Sequence, residues 1–281
     1  MRIERAELPS SGYGHRVPAL TAYVRDNVEA QSSRLRPAVV VCPGGGYEFC
    51  SDLEAEPVAL AFVARGYQAF VLDYTVLDAS EAAPLLPLPQ LDLAHAVALV
   101  RARADAWHVD PRDVGTLGCS AGGHLCATYE ALARDEAFLS RAGLTADEAR
   151  VDWQVLCYPV IDLGAGWPPD AAHAARLCAE GSPLRRAQGL VDAGTPPTFV
   201  WHTASDATVP VRNAYVYAEA LAAHGVDHEL HVFHEGRHGL SLATEESARY
   251  PDCVNAHAAC WLDLAVEWHA GQAPEGRRVW G

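Results

Sequence analysis

Hydrophobic and polar positions along the chain follow two alternating periods. Short apolar runs, typical of buried strands, are mostly separated by stretches whose apolar positions have helical spacing. The predicted strands cover residues 39–42, 69–72, 114–118, 155–158, 198–201 and 229–233. The predicted helices cover residues 54–65, 90–105, 121–134, 212–223 and 252–268. Short apolar strands separated by helices indicate a mostly parallel sheet with helices on both faces.

Two segments depart from this alternation. Residues 2–8 and 19–25 have strand character with no helix between them, so we expect an antiparallel hairpin at the sheet edge. Residues 163–190 are rich in Gly, Pro and Ala, and we expect a short cap-like insertion over the carboxyl ends of the strands, where open α/β sheets bind ligands. Since no internal repeat is visible, we expect one α/β domain over residues 1–281.

Charge narrows the choice of partners. Asp and Glu total 36 against 21 Lys and Arg, which gives a formal net charge of −15. This field repels phosphate backbones and anionic lipid surfaces, so we expect no nucleic-acid and no membrane partner. The alternative is that the charge only keeps the protein soluble.

Residues 1–7 lack the apolar core of a secretory signal, and no apolar run is long enough to cross a bilayer, so we expect a cytoplasmic location. The pattern indicates no oligomeric state.

The eight cysteines are expected to be reduced. Several lie inside apolar runs, no CxxC pair occurs, and no export signal is visible. Buried thiols fit this distribution better than disulfides do.

The strongest motif is Gly-Cys-Ser-Ala-Gly at residues 118–122, which fits G-x-S-x-G between a predicted strand and a predicted helix. Such a turn lifts the serine oxygen clear of the sheet beside the amide groups of a helix N-terminus. We therefore predict Ser120 as a nucleophile, the alternative being a Gly-rich turn with an idle serine. Because the turn exposes its central residue, we expect the neighbouring Cys119 to be a packed side chain.

A second Gly-rich loop, Pro43-Gly44-Gly45-Gly46-Tyr47, follows an early strand. Three glycines allow the backbone to aim N–H groups at a ligand, as in the oxyanion loops of hydrolases. A plain flexible loop or a phosphate cradle are the alternatives. The residues that complete a P-loop or a dinucleotide fingerprint are missing.

A serine nucleophile needs a base and an acid, both later in the chain in this arrangement. His238, in the loop after the last predicted strand, is preferred as the base over His234, which lies at the strand end. Asp206, in the loop after residues 198–201, is preferred as the acid over Asp162, one strand earlier. A turn or helix-cap role is the alternative for either aspartate.

Other candidates have simpler interpretations. His228, His231, His234 and His238 suggest a metal site, but residues 228 and 231 point to opposite faces of a strand and no HExxH pattern occurs, so we expect no metal. His124, one turn into a helix, suits a structural hydrogen bond. Three aromatic residues could form a sugar platform, although burial in the core is the favoured interpretation: Tyr47, Trp167 and Trp201.

Over about residues 15–270 the chain resembles the acetyl-xylan and feruloyl esterase-like branch of the α/β hydrolases. The resemblance rests on the loop at residues 43–47, the motif at residues 118–125, Asp206 and His238. That branch is related to the hormone-sensitive-lipase-type esterases. Pro43 stands where the lipase-type group has His, and Cys119 where it usually has Asp. Both departures are shared with the carbohydrate-esterase branch.

The resemblance implies an α/β-hydrolase fold and a Ser120–His238–Asp206 triad without a cofactor. It also implies that the amides of Gly45, Gly46 and Ala121 bind the oxyanion. The expected substrate is a small-molecule or oligosaccharide ester, above all an acetyl ester of a neutral xylose-type sugar. A serine peptidase of the same fold and a non-catalytic ligand receptor remain the alternatives.

Overall fold

An eight-stranded sheet forms the centre of the protein, in a computed structural model that describes residues 1–272. The strand order is β1-β2-β4-β3-β5-β6-β7-β8, and the six strands from β3 to β8 run parallel to one another. The strands are β1 Arg2–Glu7, β2 Ala19–Val24, β3 Arg36–Cys42, β4 Gln68–Asp73, β5 Val109–Cys119, β6 Gln154–Cys157, β7 Thr198–Thr203 and β8 His228–Phe233. The predicted mostly parallel sheet is confirmed.

The predicted N-terminal hairpin is also confirmed. β1 pairs antiparallel with β2 from Arg2 opposite Val24 to Glu7 opposite Ala19, and β2 pairs antiparallel with β4. β1 therefore forms one edge of the sheet, and β8 forms the other.

Helices cover both faces of the sheet. They are α1 Glu56–Ala64, α2 Leu88–Ala102, α3 Ala104–Trp107, α4 Ala121–Leu132, α5 Glu136–Ala142, α6 Ala146–Ala149, α7 Ala171–Leu177, α8 Arg212–Ala223 and α9 Trp261–Gln272. Alternate residues of β3 belong to two separate cores: Val40 to the core that also contains residues of α2, α4 and α8, and Val41 to the core that contains residues of α1 and α9. A strand buried on both faces is continuously apolar, which explains the unbroken apolar run at residues 39–42.

The prediction of a helix over residues 252–268 was wrong at its beginning. The chain instead forms short 3₁₀ turns at Pro251–Cys253 and Ala258–Cys260, and α9 begins at Trp261. The side-chain oxygen of Asn255 accepts hydrogen bonds from the amides of His257 and Ala258. An asparagine side chain that binds the next amides closes a turn in place of a helix.

Residues 163–190 contain α7 and two 3₁₀ turns, Pro183–Arg185 and Ala187–Leu190. The carbonyl of Leu184 lies 2.8 Å from Nε2 of His124 and so ties this segment to α4. All eight cysteines are free thiols. Within residues 1–272, no helix has the length and apolar character needed to cross a membrane.

Candidate active site

Ser120 lies in a sharp turn between β5 and α4. Its backbone has φ 54° and ψ −116°, a conformation that costs free energy for any residue with a side chain. Gly122 makes the turn feasible: a Cβ atom there would lie 2.0 Å from the carbonyl oxygen of Cys42. Helix α4 therefore begins in backbone contact with the end of β3, as the G-x-S-x-G context predicts.

The side chains of Ser120, His238 and Asp206 form a connected line. Oγ of Ser120 lies 2.7 Å from Nε2 of His238, and Nδ1 of His238 lies 2.6 Å from Oδ2 of Asp206. A carboxylate only accepts hydrogen bonds, so Nδ1 carries the ring proton and Nε2 is free to accept the proton of the serine hydroxyl. The geometry of a nucleophile, a base and an orienting acid is present.

Asp206 is held as an anion. Burial alone would raise its pKa, but the hydrogen bond and charge of His238, with the amide of Val209, outweigh burial and leave the pKa below its usual value. Its second oxygen accepts from the amides of Thr208 and Val209 at 2.8 and 2.9 Å. Behind it, burial lowers the pKa of His202 to about 4, so this ring stays neutral at neutral pH.

The alternative acid and base lie elsewhere. Asp162 accepts from the amide of Gly164 and from Gln188, within the insertion. His234 is exposed and lies 3.7 Å from Glu235. Neither residue contacts the Ser120–His238 pair.

The loop at residues 43–47 curls beside Ser120. Gly45 has φ 120°, and a Cβ atom there would lie 2.1 Å from the carbonyl oxygen of Phe49, so only glycine fits this turn. Among residues 1–272, no group accepts a hydrogen bond from the amides of Gly45, Gly46 or Ala121. Gly45 and Gly46 line the same cavity as Ser120 and His238, which has a volume of about 340 Å³. Unpartnered amides beside a serine oxygen can bind a developing oxyanion.

Aromatic side chains line the outer part of this cavity. Phe49 and Tyr250 are 53% and 46% exposed, and Trp167 from the insertion lies close to Gly46. Tyr47 and Trp201, in contrast, are fully buried in the core. Of the three aromatic residues considered from the sequence, only Trp167 reaches the cavity.

The remaining candidates have structural partners. Cys119 is buried beneath the turn, and His124 contacts Tyr47 and Leu184. The histidines near β8 diverge: His228 contacts the carbonyl of Val226, whereas His231 contacts Glu229. Over the described residues, no group of three or more His, Cys, Asp or Glu side chains is arranged to hold a metal ion.

Two buried residues at the site escaped the sequence analysis. Glu54 lines the cavity, and Tyr158 packs edge-on against the ring of His238 with centroids 5.2 Å apart. The local pattern around residue 54 indicated only the start of a helix. No sequence signal marks either residue, because they meet across 104 positions of chain.

Several known proteins are similar to this chain in sequence and fold. Endo-1,4-beta-xylanase B of Butyrivibrio fibrisolvens is 34% identical over 240 residues, which are 84% of this chain but only 36% of that protein. The crystal structure of carboxylesterase Cest-2923 from Lactobacillus plantarum WCFS1 superposes with a TM-score of 0.89 at 32% identity, covering 97% of this chain and 98% of that one. An acetyl ester-xyloside bifunctional hydrolase from Caldicellulosiruptor lactoaceticus superposes with a TM-score of 0.74 at 34% identity, covering 92% and 89% of the two chains.

A family model described as BD-FAE matches residues 27–221. The matched segment contains Ser120 and Asp206 and ends before His238. It covers well over half of the sequence, and the structural neighbours share the α/β-hydrolase architecture. The chain belongs to the BD-FAE family of α/β hydrolases.

Proposed function

We propose that this protein is a serine carboxylic-ester hydrolase that removes acetyl groups from xylose-type sugars. The observation that carries the proposal is the line Ser120–His238–Asp206, with contacts of 2.7 and 2.6 Å, beside unpartnered loop amides in one cavity. The named activities of the structural neighbours, a carboxylesterase and an acetyl ester-xyloside hydrolase, support it.

In the proposed mechanism, Oγ of Ser120 attacks the ester carbonyl while Nε2 of His238 takes its proton. Asp206 holds the ring in the tautomer that leaves Nε2 free and stabilises the imidazolium that forms. His238 then gives the proton to the leaving alcohol, which departs and leaves an acyl group on Ser120. Water, activated by the same histidine, releases the acid and restores the serine.

The amides of Gly45, Gly46 and Ala121 are the proposed oxyanion donors. A good donor of this kind stabilises the transition state by about 3 to 4 kcal/mol. Since these amides have no partner among the described residues, they need not break a hydrogen bond to bind the oxyanion. The reaction as proposed uses no cofactor.

A small acyl group on a sugar is the finer part of the proposal. Partly exposed aromatic side chains at the cavity mouth offer flat surfaces for the apolar face of a sugar ring. The net charge of −15 favours a neutral substrate over an anionic one. The proposed cap role of residues 163–190 fits this arrangement, since Trp167 carries the insertion to the cavity wall.

The first test is labelling by a fluorophosphonate probe, which reacts with an activated serine. We expect the wild-type chain to be labelled and Ser120→Ala to remain unlabelled, with kcat on nitrophenyl acetate lowered by about 10⁴-fold or more. An unlabelled wild type would favour a non-catalytic receptor. Ser120→Ala with full activity would remove the serine from its proposed role.

The second test is substrate choice. Acetate release from acetylated xylo-oligosaccharides would be measured beside kcat/KM on acetyl, butyryl and octanoyl nitrophenyl esters and on peptides. One methylene changes selectivity by only about 1 to 3 kcal/mol, so octanoyl is the informative contrast. A preference for octanoyl, or no acetate from the sugars, would reject the sugar-acetate part and leave the esterase part standing. A preference for peptides would reject both.

A further inference from the structure

We propose that Glu54 is a positioning residue that fixes the oxyanion loop, residues 43–47, relative to the loop that follows His238. This inference rests on the proposed function, because it concerns the same site. Glu54 lines the cavity with only 5% of its surface exposed. It is placed there by the 3₁₀ turn Asp52–Glu54, which precedes α1.

The first contact of Glu54 is with the oxyanion loop. Oε2 accepts a hydrogen bond from the amide of Gly44 at 2.9 Å. The carbonyl of Gly44 in turn accepts from the amide of Ser51 at 3.0 Å. Gly44 is thus held from both sides, one residue before the unpartnered amides of Gly45 and Gly46.

The second contact reaches the base. The hydroxyl of Tyr158 accepts from the amide of Ser241 at 2.9 Å, so its own proton points to Oε1 of Glu54 at 2.7 Å. Ser241 follows His238 by three residues, and its hydroxyl donates to the carbonyl of Leu53 at 2.7 Å. The ring of Tyr158 packs at 76° against that of His238. One carboxyl group therefore joins the oxyanion loop to the segment that carries the base.

The cost of this arrangement indicates a functional role. Both oxygens of Glu54 accept hydrogen bonds, and over residues 1–272 no Arg or His side chain forms an ion pair with it. Burying a carboxyl group without a cation is unfavourable, and an apolar side chain would avoid this cost. What the carboxyl group adds is position: a Cβ atom on Gly44 would lie 2.6 Å from Oε2 of Glu54 and 2.9 Å from Cβ of Ser120. Gly44 therefore lies directly between the carboxyl group of Glu54 and the side chain of Ser120.

Position matters at this point because oxyanion donors act only at about 2.7 to 3.1 Å from the oxygen. A misplacement of about 1 Å can cost on the order of 10²-fold in rate. Losing the anchor at Gly44 should therefore weaken transition-state binding and leave ground-state binding nearly unchanged.

The test uses Glu54→Gln and Glu54→Ala. Glu54→Gln keeps the shape but has a single acceptor oxygen, so either the Gly44 amide or the Tyr158 hydroxyl loses its acceptor. Glu54→Ala removes both contacts. On nitrophenyl acetate we expect kcat to fall by about 10-fold for Gln and by up to about 10³-fold for Ala, with KM changed by less than about threefold. Trifluoroacetone mimics the acetyl group and forms an oxyanion on a serine. Its inhibition constant should rise by the same factor as kcat/KM falls.

Glu56→Gln is the matched control, because Glu56 also accepts from a tyrosine, Tyr23 at 2.9 Å, but lies on the exposed side of α1. It should leave kcat and the inhibition constant unchanged. Tyr158→Phe is the second variant, in case both Glu54 variants fold poorly. Tyr158→Phe keeps the contact between Glu54 and Gly44, so its kcat should fall less than that of Glu54→Ala. The losses in kcat of Tyr158→Phe and Glu54→Gln should be non-additive in the double variant.

Two results would overturn the inference. The first is wild-type kcat and trifluoroacetone affinity in both Glu54→Gln and Tyr158→Phe. The second is a loss fully accounted for by the unfolded fraction in a thermal melt. Either result beside an inactive Ser120→Ala would reject the role of Glu54 alone, whereas an active Ser120→Ala would reject the proposed function itself.

Discussion

The hydroxyl of Tyr47 lies 2.9 Å from Nδ1 of His124, and both side chains are fully buried. Nε2 of the same ring faces the carbonyl of Leu184, which can only accept, so Nε2 carries the proton and Nδ1 accepts from Tyr47. Burial lowers the pKa of His124 to about 4, which keeps the ring neutral at neutral pH. One buried ring therefore joins the oxyanion loop, α4 and the insertion.

Tyr47→Phe should destabilise the fold, because it leaves Nδ1 of His124 buried without a donor. We expect a loss of about 1 to 3 kcal/mol in the free energy of unfolding, measured by urea titration. Tyr215→Phe is the control, since Tyr215 is 48% exposed. Equal stability of the Tyr47 variant and this control would show that the contact contributes nothing.

The two candidate aspartates should differ sharply in their effect on activity. Asp206→Asn favours the wrong tautomer of His238, and we expect kcat to fall on the order of 10⁴-fold. Asp162→Asn should cost much less, because Asp162 contacts Gly164 and Gln188 and not the base. Steady-state kinetics on nitrophenyl acetate give the ranking, and a reversed order would move the acid to the earlier strand.

Activity should fall as the pH is lowered from about 7 to 5, the acid-side loss that general-base catalysis by a histidine produces. A protonated base cannot take the serine proton, so the loss lies on the acid side. Asp206 and His202 do not change charge in this range, since the pKa of Asp206 lies below its ordinary 3.8 and that of His202 is about 4. The pH profile of kcat/KM should therefore show a single-proton slope.

The acid-side loss should not come from unfolding. Burial raises the pKa of Asp92 to about 6 and that of Glu130 to about 7, so both favour the folded state when protonated and weaken it as the pH rises. The lowered pKa of Asp206 has the opposite sign, and its stabilisation is lost only below 3.8. Circular dichroism at pH 5 should match that at pH 7. A flat activity profile down to pH 4 in folded protein would contradict a histidine base.

The extent to which the sequence predicts this site depends on how local its signals are. The turn at Ser120 and the loop at Gly45 are marked by adjacent glycines with local close contacts, since a Cβ atom on Gly118 would meet Gly122 and one on Gly45 would meet Phe49. The inner strands β3 and β6 were predictable because their apolar runs are buried on both faces of the sheet. Asp206 and His238 could be placed only by chain order and by their position after strands.

The remaining features are not local. Glu54 meets Tyr158 only after the sheet has formed, and no spacing rule connects positions 104 residues apart. The error at residues 252–260 has a different cause. The side chain of Asn255 accepts hydrogen bonds from backbone amides and so stabilises a turn in place of a helix. The spacing of hydrophobic residues carries no information about such hydrogen bonds.

The last prediction concerns the backbone contact that sets the distance between the two sides of the proposed oxyanion site. A Cβ atom on Gly122 would lie 2.0 Å from the carbonyl oxygen of Cys42 and 2.6 Å from that of Pro43, so Gly122→Ala must push α4 away from the end of β3. Ala121 moves with α4, whereas Gly45 and Gly46 move with the loop, so the amides should separate. We expect kcat per folded molecule to fall on the order of 10²-fold and stability to fall by about 1 to 3 kcal/mol. Gly189→Ala, with no atom within 4 Å of its added carbon, should change neither. If Gly122→Ala loses stability but keeps wild-type kcat per folded molecule, the glycine serves packing alone and does not set the donor spacing.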